Sequence, residues 1–235
     1  MAPGRIVVLT GAGISAESGL PTFRGAGGLW ENHRAEELAT PEAFARDPAL
    51  VLRFYDERRR RLREPGVEPN AAHRALAELE RRFGGEFLLV TQNVDDLHER
   101  AGSRELLHMH GELMKMRCAK SGIVYPAPER IQAAARCACC GVRGSLRPHV
   151  VWFGEMPLYM ERIAAALESC ELFVAIGTSG SVYPAAGFVR IAALARARTV
   201  EINLEPAVPA GIFSERRTGP ASEQVPRFVE ELLSR

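Results

Sequence analysis

Short apolar runs rich in β-branched residues alternate along the chain with longer patterns typical of helices. The runs predict strands over residues 6–9, 86–90, 106–112, 147–155, 172–176 and 199–205. Capping residues and apolar spacing predict helices over residues 35–63, 70–82, 158–169, 185–195 and 222–233. Strands that alternate with helices in this way indicate an α/β fold built on a parallel sheet.

The junction after the first predicted strand has the glycine spacing of a nucleotide-binding turn. Gly11, Gly13 and Ala16 follow the pattern G-x-G-x-x-A, and Ser15 and Glu17 suit the first turn of a helix. Glycine lacks a Cβ, so the turn can be tight and a pyrophosphate can approach the N–H groups that begin the helix. The same pattern also fits an ordinary strand–turn–helix junction.

After Gly19 and Pro21, a glycine-rich loop follows over residues 22–30 and carries Phe23, Arg24 and Trp30. Glycine and proline at its start keep the preceding helix short. A loop that folds over a bound cofactor is one interpretation, and a plain surface connection is the other.

Polar side chains cluster where the next two predicted strands end. Gln92, Asn93 and Asp95 follow the second strand, and His108 and His110 lie in the third. The carboxyl end of a parallel strand is where the active sites of α/β proteins are found. If the third strand is regular, both histidines point to one side, where either can be a general base. Helix capping is the alternative for the first group, and burial in the core is the alternative for the histidines.

Two later loops and one strand edge carry further candidates. Residues 177–181 form a small, hydroxyl-rich loop after a strand, and Asn203 and Glu205 lie at the end of the next one. These groups suit contacts with phosphate or ribose. The predicted strand over residues 147–155 leaves Gly154 at an exposed edge, which can accept a peptide by strand addition.

The segment over residues 53–63 is strongly basic, which is typical of a solvated helix face. Tyr55 and Arg58 lie three positions apart, so a helix brings them to one face. A phenol beside a guanidinium can hold a carboxylate. We interpret His73, in the next predicted helix, as a surface or packing residue.

Four of the five cysteines fall in one stretch where the alternation of strands and helices stops. Cys137 and Cys140 form a C-x-x-C pair suited to zinc, whereas Cys118 is followed at the matching position by Ser121. Cys139 is an alternative fourth ligand, although adjacent cysteines are awkward on one metal. A zinc site with an unusual ligand, a weakened site, a site without metal and free cysteines in a loop are the alternatives.

The composition is that of an ordinary globular enzyme. The chain has 235 residues, of which 46% are hydrophobic and 25% charged, and its net charge is +1. This charge argues against a protein that coats nucleic acid. No apolar run reaches the roughly 20 residues of a membrane span, and no signal peptide is visible. With cysteines that suggest a reduced compartment, these features predict a cytoplasmic protein.

Six segments together resemble the sirtuins, which are NAD-dependent protein deacylases. They are GAGISAESGLPTFRG, TQNVDDLHERAG, HMHGE, LRPHVVWFGE, AIGTSGSVYPAA and INLEP, and they occur in the family's order. HVVWFGE and the pair Tyr55 and Arg58 resemble the CobB-type, class III branch. In that branch the tyrosine and arginine recognise acidic acyl groups on lysine, such as succinyl or malonyl.

The resemblance implies a fold and a division of the chain. The fold is an α/β Rossmann-like parallel sheet with a smaller helical and zinc-binding-type domain formed by insertions. The Rossmann-like NAD-binding domain would comprise residues 1–28, 70–111 and 148–235. The small domain would comprise a helical insertion over residues 29–69 and a cysteine-containing insertion over residues 112–147.

The resemblance also implies roles for individual residues. NAD would be contacted by Gly11, Ala12, Gly13, Ile14, Ser15, Glu17, Phe23, Arg24, Trp30, Gln92, Asn93, Val94, Asp95, Gly177, Thr178, Ser179, Asn203, Leu204, Glu205 and Ala221. The catalytic residues would be His110 as the base, Asn93 and Asp95. The acyl-lysine substrate would be bound by Tyr55, Arg58, Val151, Phe153 and Gly154. One structural zinc ion would be held by Cys118, Cys137 and Cys140, with the fourth position falling on Ser121.

The implied reaction consumes NAD as a co-substrate. The acyl group passes from lysine to ADP-ribose, releasing free lysine, nicotinamide and O-acyl-ADP-ribose. The partners would be acylated-lysine proteins or peptides, with no direct nucleic acid and no membrane. The oligomeric state is left open, with a monomer as one option.

Three other functions fit parts of the sequence. Protein mono-ADP-ribosylation uses the same cleavage of NAD but transfers the ribosyl group to a side chain. A dehydrogenase would transfer a hydride and form NADH. A zinc-stabilised nucleic-acid-binding module would use the cysteines and the basic segment, and salt-dependent binding to DNA would reveal it.

Overall fold

The computed structural model of the chain describes residues 3–22, 29–30, 33–207 and 211–234. Across these residues the strands are β1 (Arg5–Thr10), β2 (Leu29–Trp30), β3 (His33–Arg34), β4 (Glu86–Thr91), β5 (Leu106–His108), β6 (Gly111–Cys118), β7 (Val124–Pro126), β8 (Leu146–Val150), β9 (Leu172–Ile176), β10 (Arg198–Asn203) and β11 (Glu215–Thr218). The α-helices are α1 (Ala35–Leu38), α2 (Pro41–Arg46), α3 (Pro48–Leu62), α4 (Ala71–Arg82), α5 (Leu97–Ala101), α6 (Met160–Ser169), α7 (Phe188–Leu194) and α8 (Ala221–Leu233). Two 3₁₀-helices cover Ala12–Ser18 and Ala185–Gly187.

A six-stranded sheet in the order β11-β10-β9-β1-β4-β5 forms the centre of the fold. Every neighbouring pair in it is parallel. The predicted α/β fold with a Rossmann-like parallel sheet is therefore confirmed. Strand β11 was not predicted, because its sequence ERRT has no apolar run and its pairing with β10 alone places it at the sheet edge.

The strand β1 shows why these apolar runs become buried central strands. Its side chains alternate between two cores, one on each face of the sheet. Ile6 and Val8 pack with residues of α4 and α8, including Leu76 and Phe228. Val7 and Leu9 face the opposite core, which contains residues of α6 and α7. With apolar side chains needed on both faces, the strand reads as a continuous hydrophobic run.

The region predicted to be helical over residues 35–63, with Thr40, Pro41 and Glu42 as a cap and first turn, contains three helices. Thr40 begins α2, since its Oγ1 accepts a hydrogen bond from the Ala43 N–H at 3.0 Å. Asp47 begins α3 in the same way, with its Oδ1 2.9 Å from the Leu50 nitrogen. A proline follows each cap and restricts the residue before it, which interrupts the helix. Across the described ranges, no helix has the length and apolar character needed to cross a membrane.

A second sheet, with antiparallel strands in the order β7-β6-β8, lies apart from the main one. It accounts for two differences from the predicted strands. The predicted strand over residues 106–112 ends at His108, and a turn with Gly111 at a φ of +83° leads into β6. The predicted strand over residues 147–155 ends at Val150. Consequently His108 and His110 do not share one regular strand.

Helix α3 packs against the antiparallel sheet. Val51 and Phe54 of α3 share a buried core with Leu113 of β6 and Val150 of β8. A neighbouring core joins Leu52 of α3 to the buried cysteines of the second insertion. The two insertions are thus in contact, while the domain boundaries given above stay a prediction.

Candidate active site

Two glycine-containing loops meet at the carboxyl ends of β1 and β9. The Gly11 N–H donates to the Ile176 carbonyl at 3.0 Å, and the Gly13 N–H donates to the Gly177 carbonyl at 2.9 Å. A Cβ on Gly13 would lie 2.7 Å from the Gly177 Cα. These glycines therefore allow the two loops to pack directly on one another. The segment after Gly11 is a 3₁₀-helix and not the predicted α-helix.

We expect Gly177→Ala to destabilise this junction by about 1–3 kcal/mol, because the new methyl group would overpack it. Gly177 has a φ of +60°, and a Cβ there would lie 2.4 Å from the Ile14 nitrogen. Urea unfolding of the two proteins measures the difference. Gly66→Ala is the matched control, since Gly66 also has a positive φ of +92° but no atom within 4 Å of its Cβ position. Equal losses in both variants would contradict the packing argument.

A buried hydrogen-bond network connects Ser15 to the segment after β4. The Asn93 Nδ2 donates to the Ser15 Oγ at 3.1 Å and to the Gly11 carbonyl at 3.2 Å. The Ser15 hydroxyl in turn donates to the Asp95 Oδ2 at 3.1 Å. Burial raises the pKa of Asp95 to about 6. The network brings together three of the predicted site residues from two separate segments.

His73 is buried and part of this network, so of the two interpretations, surface or packing residue, the packing one holds. Its ring is fully buried, and its Nδ1 accepts a hydrogen bond from the Asn70 N–H at 3.3 Å. The proton therefore sits on Nε2, which faces the Ser15 Oγ at 3.4 Å. Burial lowers the pKa of His73 to about 4, so the ring is neutral near pH 7.

Three further residues that the sequence interpretation missed support the same segment. The Thr10 hydroxyl donates to the Thr91 Oγ1 at 2.8 Å and therefore accepts from the His98 Nε2 at 3.0 Å. The Thr91 Oγ1 also accepts from the Asn93 N–H at 3.1 Å. Each of the paired strands β1 and β4 ends in a threonine, and this was the sequence feature that could have revealed the contact between Thr10 and Thr91.

The His110 ring carries its proton on one nitrogen and, within the part of the chain that the structure describes, makes no hydrogen bond through the other. Its Nδ1 lies 3.1 Å from the Gln92 carbonyl, which can only accept, so the proton is on Nδ1. The lone pair of Nε2 is then available to take a proton. Burial lowers the pKa of His110, which keeps the ring in its basic form at neutral pH. His110 thus lies beside Gln92 at the carboxyl ends of β4 and β5, and its role as the general base stays a prediction.

The surroundings of His108 favour its protonated form, in contrast to those of His110. Its Nδ1 lies 3.1 Å from the Asn93 carbonyl and its Nε2 lies 2.7 Å from the Glu99 Oε1, so both nitrogens face acceptors. Burial alone would lower the pKa of His108, but the hydrogen bond and charge of Glu99 outweigh it and raise the pKa. Acceptors at both nitrogens favour the protonated His108 ring, which contacts the Asn93 backbone, and the alternative of a core residue fits it better than that of a base.

These environments predict that the pKa values of His108 and His110 are shifted in opposite directions, although the two residues are only two positions apart. We expect the pKa of His108 above 6.5 and that of His110 below 6.5. Nitrogen NMR of histidine-labelled protein over a pH series measures both values and the tautomer of His110. Glu99→Gln should lower the pKa of His108 and leave that of His110 in place. A His110 ring that is protonated above pH 6.5 would contradict the assignment.

The loops predicted to bind adenosine are linked to each other. The Asn203 Nδ2 donates to the Thr178 carbonyl at 2.8 Å, which joins the ends of β10 and β9. The Ser179 Oγ lies 2.8 Å from the Ser181 Oγ. Leu204 is 65% exposed and free to contact a ligand.

Glu17 makes contacts that its sequence position did not suggest. Its carboxylate accepts hydrogen bonds from the Ser222 N–H at 3.0 Å and the Ser222 hydroxyl at 2.5 Å. Glu17 therefore anchors the start of α8, beside Ala221. Among the other predicted cofactor residues, Phe23 and Arg24 lie outside the described residues, as does the side chain of Trp30.

Tyr55 lies at the base of an aromatic cluster. Its hydroxyl accepts a hydrogen bond from the Trp152 Nε1 at 3.0 Å. Burial raises the pKa of Tyr55 to about 12, although the Trp152 hydrogen bond and the charge of Arg58 act against it. The phenol therefore keeps its proton and can donate to a bound acceptor. The guanidinium of Arg58 lies 4.5 Å from the ring centre of Phe54, on the same helix.

The Arg147–Glu155 ion pair contacts Trp152 and fixes its position. The exposed strand edge predicted at Gly154 is not formed. The Glu155 carboxylate accepts from the Arg147 Nη1 at 2.6 Å and from the Trp152 N–H at 2.8 Å. The Arg147 guanidinium also stacks 3.2 Å above the Trp152 ring. The Gly154 region is thus a turn, with a φ of +87°, and not a free strand edge.

One of the predicted peptide-contact residues, Val151, lies beside the candidate base. The Val151 N–H donates to the His110 carbonyl at 2.9 Å, so this segment runs directly beside His110. The Phe153 N–H donates to the Ala39 carbonyl at 2.9 Å, and the Phe153 side chain is 50% exposed. An exposed aromatic side chain two positions along this segment is suited to covering the apolar stem of a lysine.

The cysteine stretch forms a compact sulfur cluster. The Sγ atoms of Cys118, Cys137, Cys139 and Cys140 all lie within 4.8 Å of one another. Four thiolates in such a group are a ligand set that zinc uses in structural sites. The donor set is therefore compatible with zinc, and it includes Cys139 in addition to the three predicted ligands.

The parallel sheet and its loops define the class of the protein. Ligands of open α/β sheets bind at the carboxyl ends of the strands, where the strand order reverses. Here the order reverses at β1, and the glycine loops, the Ser15 network and His110 all lie at that point. The chain is a Rossmann-like α/β protein whose predicted site residues lie at the carboxyl ends of its central strands.

Comparison with known proteins identifies the family. Residues 11–184 match the Sir2 family. The NAD-dependent protein deacylase of Escherichia coli strain K12 is 59% identical over 229 residues, which cover 97% of this chain and 82% of the relative. The NAD-dependent protein deacylase of Pasteurella multocida strain Pm70 is also 59% identical, over 97% of this chain and 98% of the relative. The chain belongs to the Sir2 family.

Solved structures agree with this assignment. A Sir2 homologue in complex with NAD is 40% identical, with a TM-score of 0.87 over 99% of this chain and 90% of the other. A Sir2 protein bound to an acetylated peptide is 28% identical, with a TM-score of 0.82 over 97% of this chain and 93% of the other. The similarity thus extends over nearly the whole described fold.

Proposed function

We propose that this chain is an NAD-dependent protein-lysine deacylase that removes acetyl, succinyl and malonyl groups. The observation that carries the proposal is the contact of the His110 Nδ1 with the Gln92 carbonyl beside the glycine loops, which leaves Nε2 unprotonated and without a partner among the described residues. The names of the 58–59% identical relatives support the reaction class. The acetylated peptide bound by a structural neighbour supports acyl-lysine as the substrate.

The residues that would hold NAD divide into two groups. Gly11, Gly13 and the loop after β9 would receive the phosphates and adenosine, and Gln92, Asn93 and Asp95 would surround the nicotinamide end. When bound, NAD supplies the glycosidic bond to nicotinamide, which is a good leaving group. The Asn93–Ser15–Asp95 network fixes these side chains before any ligand arrives, so little reorganisation is needed.

His110 would move the essential proton. Its Nε2 is proposed to take a proton from a ribose hydroxyl, which makes that oxygen nucleophilic. The Nδ1 hydrogen bond to the Gln92 carbonyl holds the ring in position and stabilises the charge that develops on it. The completed reaction consumes water and yields lysine, nicotinamide and O-acyl-ADP-ribose.

Tyr55 and Arg58 would select acidic acyl groups. A neutral phenol that can donate and a guanidinium on the same helix face are suited to a carboxylate. Burial raises the pKa of the Tyr55 phenol, and the charge of Arg58 acts against this rise, which agrees with a guanidinium close to the phenol. An acetyl group lacks the carboxylate and would gain nothing from this pair.

Mass spectrometry of a reaction with NAD and matched acetyl-lysine and succinyl-lysine peptides tests the proposal. We expect nicotinamide, free lysine peptide and both O-acyl-ADP-ribose products. Turnover of the acetyl peptide alone would discard the acidic-acyl pocket but keep the enzyme class. Turnover of neither peptide, with ADP-ribose attached to protein, would favour mono-ADP-ribosylation. Formation of NADH would favour a dehydrogenase.

A further inference from the structure

We propose that Cys139 is the fourth ligand of a structural zinc ion that Cys118, Cys137 and Cys140 also bind. One C-x-C-C segment would then supply three of the four thiolates. Ser121 would lie outside the coordination sphere. This proposal concerns the metal site and is independent of the proposed deacylase reaction.

The distances between the sulfur atoms fit a tetrahedral ion. Zinc–sulfur bonds of about 2.3 Å place neighbouring sulfurs of a tetrahedron about 3.8 Å apart. Here the Cys118 and Cys140 Sγ atoms are 3.6 Å apart, and the Cys137 and Cys139 Sγ atoms are 3.3 Å apart. All pairs lie within 4.8 Å, so small side-chain movements would complete the tetrahedron.

The backbone hydrogen bonds show that Cys118 and Cys137 begin two turns of the same conformation. In one turn the Cys118 N–H donates to the Ile123 carbonyl at 2.9 Å and the Gly122 N–H donates to the Cys118 carbonyl at 2.9 Å. The other turn repeats the pattern from Cys137, with bonds from its N–H to the Val142 carbonyl at 3.1 Å and from the Gly141 N–H to the Cys137 carbonyl at 2.8 Å. These are two copies of one turn.

Position 121 in the first turn therefore corresponds to position 140 in the second. A serine stands at the first of these positions and a cysteine at the second. The Ser121 Oγ lies 3.0 Å from the Cys139 Sγ, so the serine contacts the sulfur that we propose as the fourth ligand. Serine is not among the usual protein ligands of zinc, whereas a hydrogen bond to a ligating sulfur is a common supporting contact.

A rescue experiment tests the ligand set. We compare zinc content and the absorption of the cobalt-substituted protein for wild type, Cys139→Ser, and Cys139→Ser combined with Ser121→Cys. The wild type should hold one zinc per chain and show a four-thiolate spectrum. Cys139→Ser should lose about a quarter of the sulfur-to-cobalt absorption and bind zinc more than about tenfold less tightly. The double variant should recover both, because the two turns are equivalent.

Cys170→Ala is the matched control, since this buried cysteine lies between α6 and β9, away from the cluster. Its cobalt spectrum should equal that of the wild type. Unchanged zinc affinity and spectrum in Cys139→Ser would overturn the proposal, as would a wild type that binds no zinc.

Alkylation of the wild-type protein keeps the test decisive if Cys139→Ser does not fold. The Cys139 side chain is exposed, so it should react quickly with iodoacetamide unless a metal holds it. We expect protection of Cys139 in the zinc-loaded protein and rapid labelling after a chelator is added. Labelling of Cys139 at equal rates before and after chelation would overturn the proposal.

Discussion

Replacing His110 with alanine is expected to lower kcat/KM for deacylation by about 10²- to 10⁴-fold, the usual contribution of a general base. The reason is the arrangement of the ring, which places its proton on Nδ1 toward the Gln92 carbonyl and leaves Nε2 basic. The burial that lowers the pKa of His110 also makes the base available throughout the neutral range. Steady-state kinetics with an acetyl-lysine peptide measures the loss.

His110→Asn separates the loss of the base from the loss of a structural contact. The asparagine amide can still donate to the Gln92 carbonyl, but no group then occupies the position of Nε2. We expect both variants to be inactive, with unfolding free energies and NAD affinities near those of the wild type. Turnover in either variant at more than about a tenth of the wild-type rate would remove His110 from this role.

The regular part of the fold could be predicted because its signals are local. The runs that became β1, β4 and β9 are apolar on both faces, which is the pattern of a buried parallel strand. The placement of Gln92, Asn93 and Asp95 at the ends of such strands then followed from the fold class. The antiparallel strand β6 was missed because it begins at the Gly111 turn, inside the segment predicted as one strand over residues 106–112.

The parts that could not be predicted depend on partners far away in the chain. His73 has the sequence environment of any helical residue, and its contact with Ser15 is 58 positions distant. Cys139 likewise looked unsuitable beside Cys140, until the fold brought Cys118 and Cys137 to the same point. The prediction of an exposed edge at Gly154 was wrong because the sequence does not show that Arg117 and Arg147 pair with the next residue, Glu155. Pairings of this kind come from tertiary structure alone.

The proposed acidic-acyl pocket depends on a chain of contacts that links Glu155 to Tyr55 through Arg147 and Trp152. The Glu155–Arg147 pair fixes Trp152, and Trp152 orients the Tyr55 hydroxyl. Since the phenol oxygen already accepts from Trp152, its own proton is directed elsewhere and can meet a carboxylate. Arg58 would supply the compensating charge.

Replacing Arg58 with methionine is therefore expected to lower kcat/KM for a succinyl-lysine peptide by roughly 10- to 150-fold. This range corresponds to about 1.5–3 kcal/mol for a hydrogen bond to a charged group. The acetyl-lysine peptide should change by less than about threefold, because the lost guanidinium has no partner on it. Methionine keeps much of the apolar stem, so the variant mainly removes the charge.

Arg60→Met is the matched control, because Arg60 lies on the same helix but is exposed and pairs with Glu57 at 3.4 Å. This variant should leave both substrates unaffected, which excludes a general effect of reducing the positive charge of α3. Tyr55→Phe should weaken succinyl turnover in the same direction and also lower stability, since Trp152 Nε1 would be left buried without its acceptor. Equal losses on the two peptides in Arg58→Met would mean that Arg58 supports the fold of the pocket and does not read the acyl group.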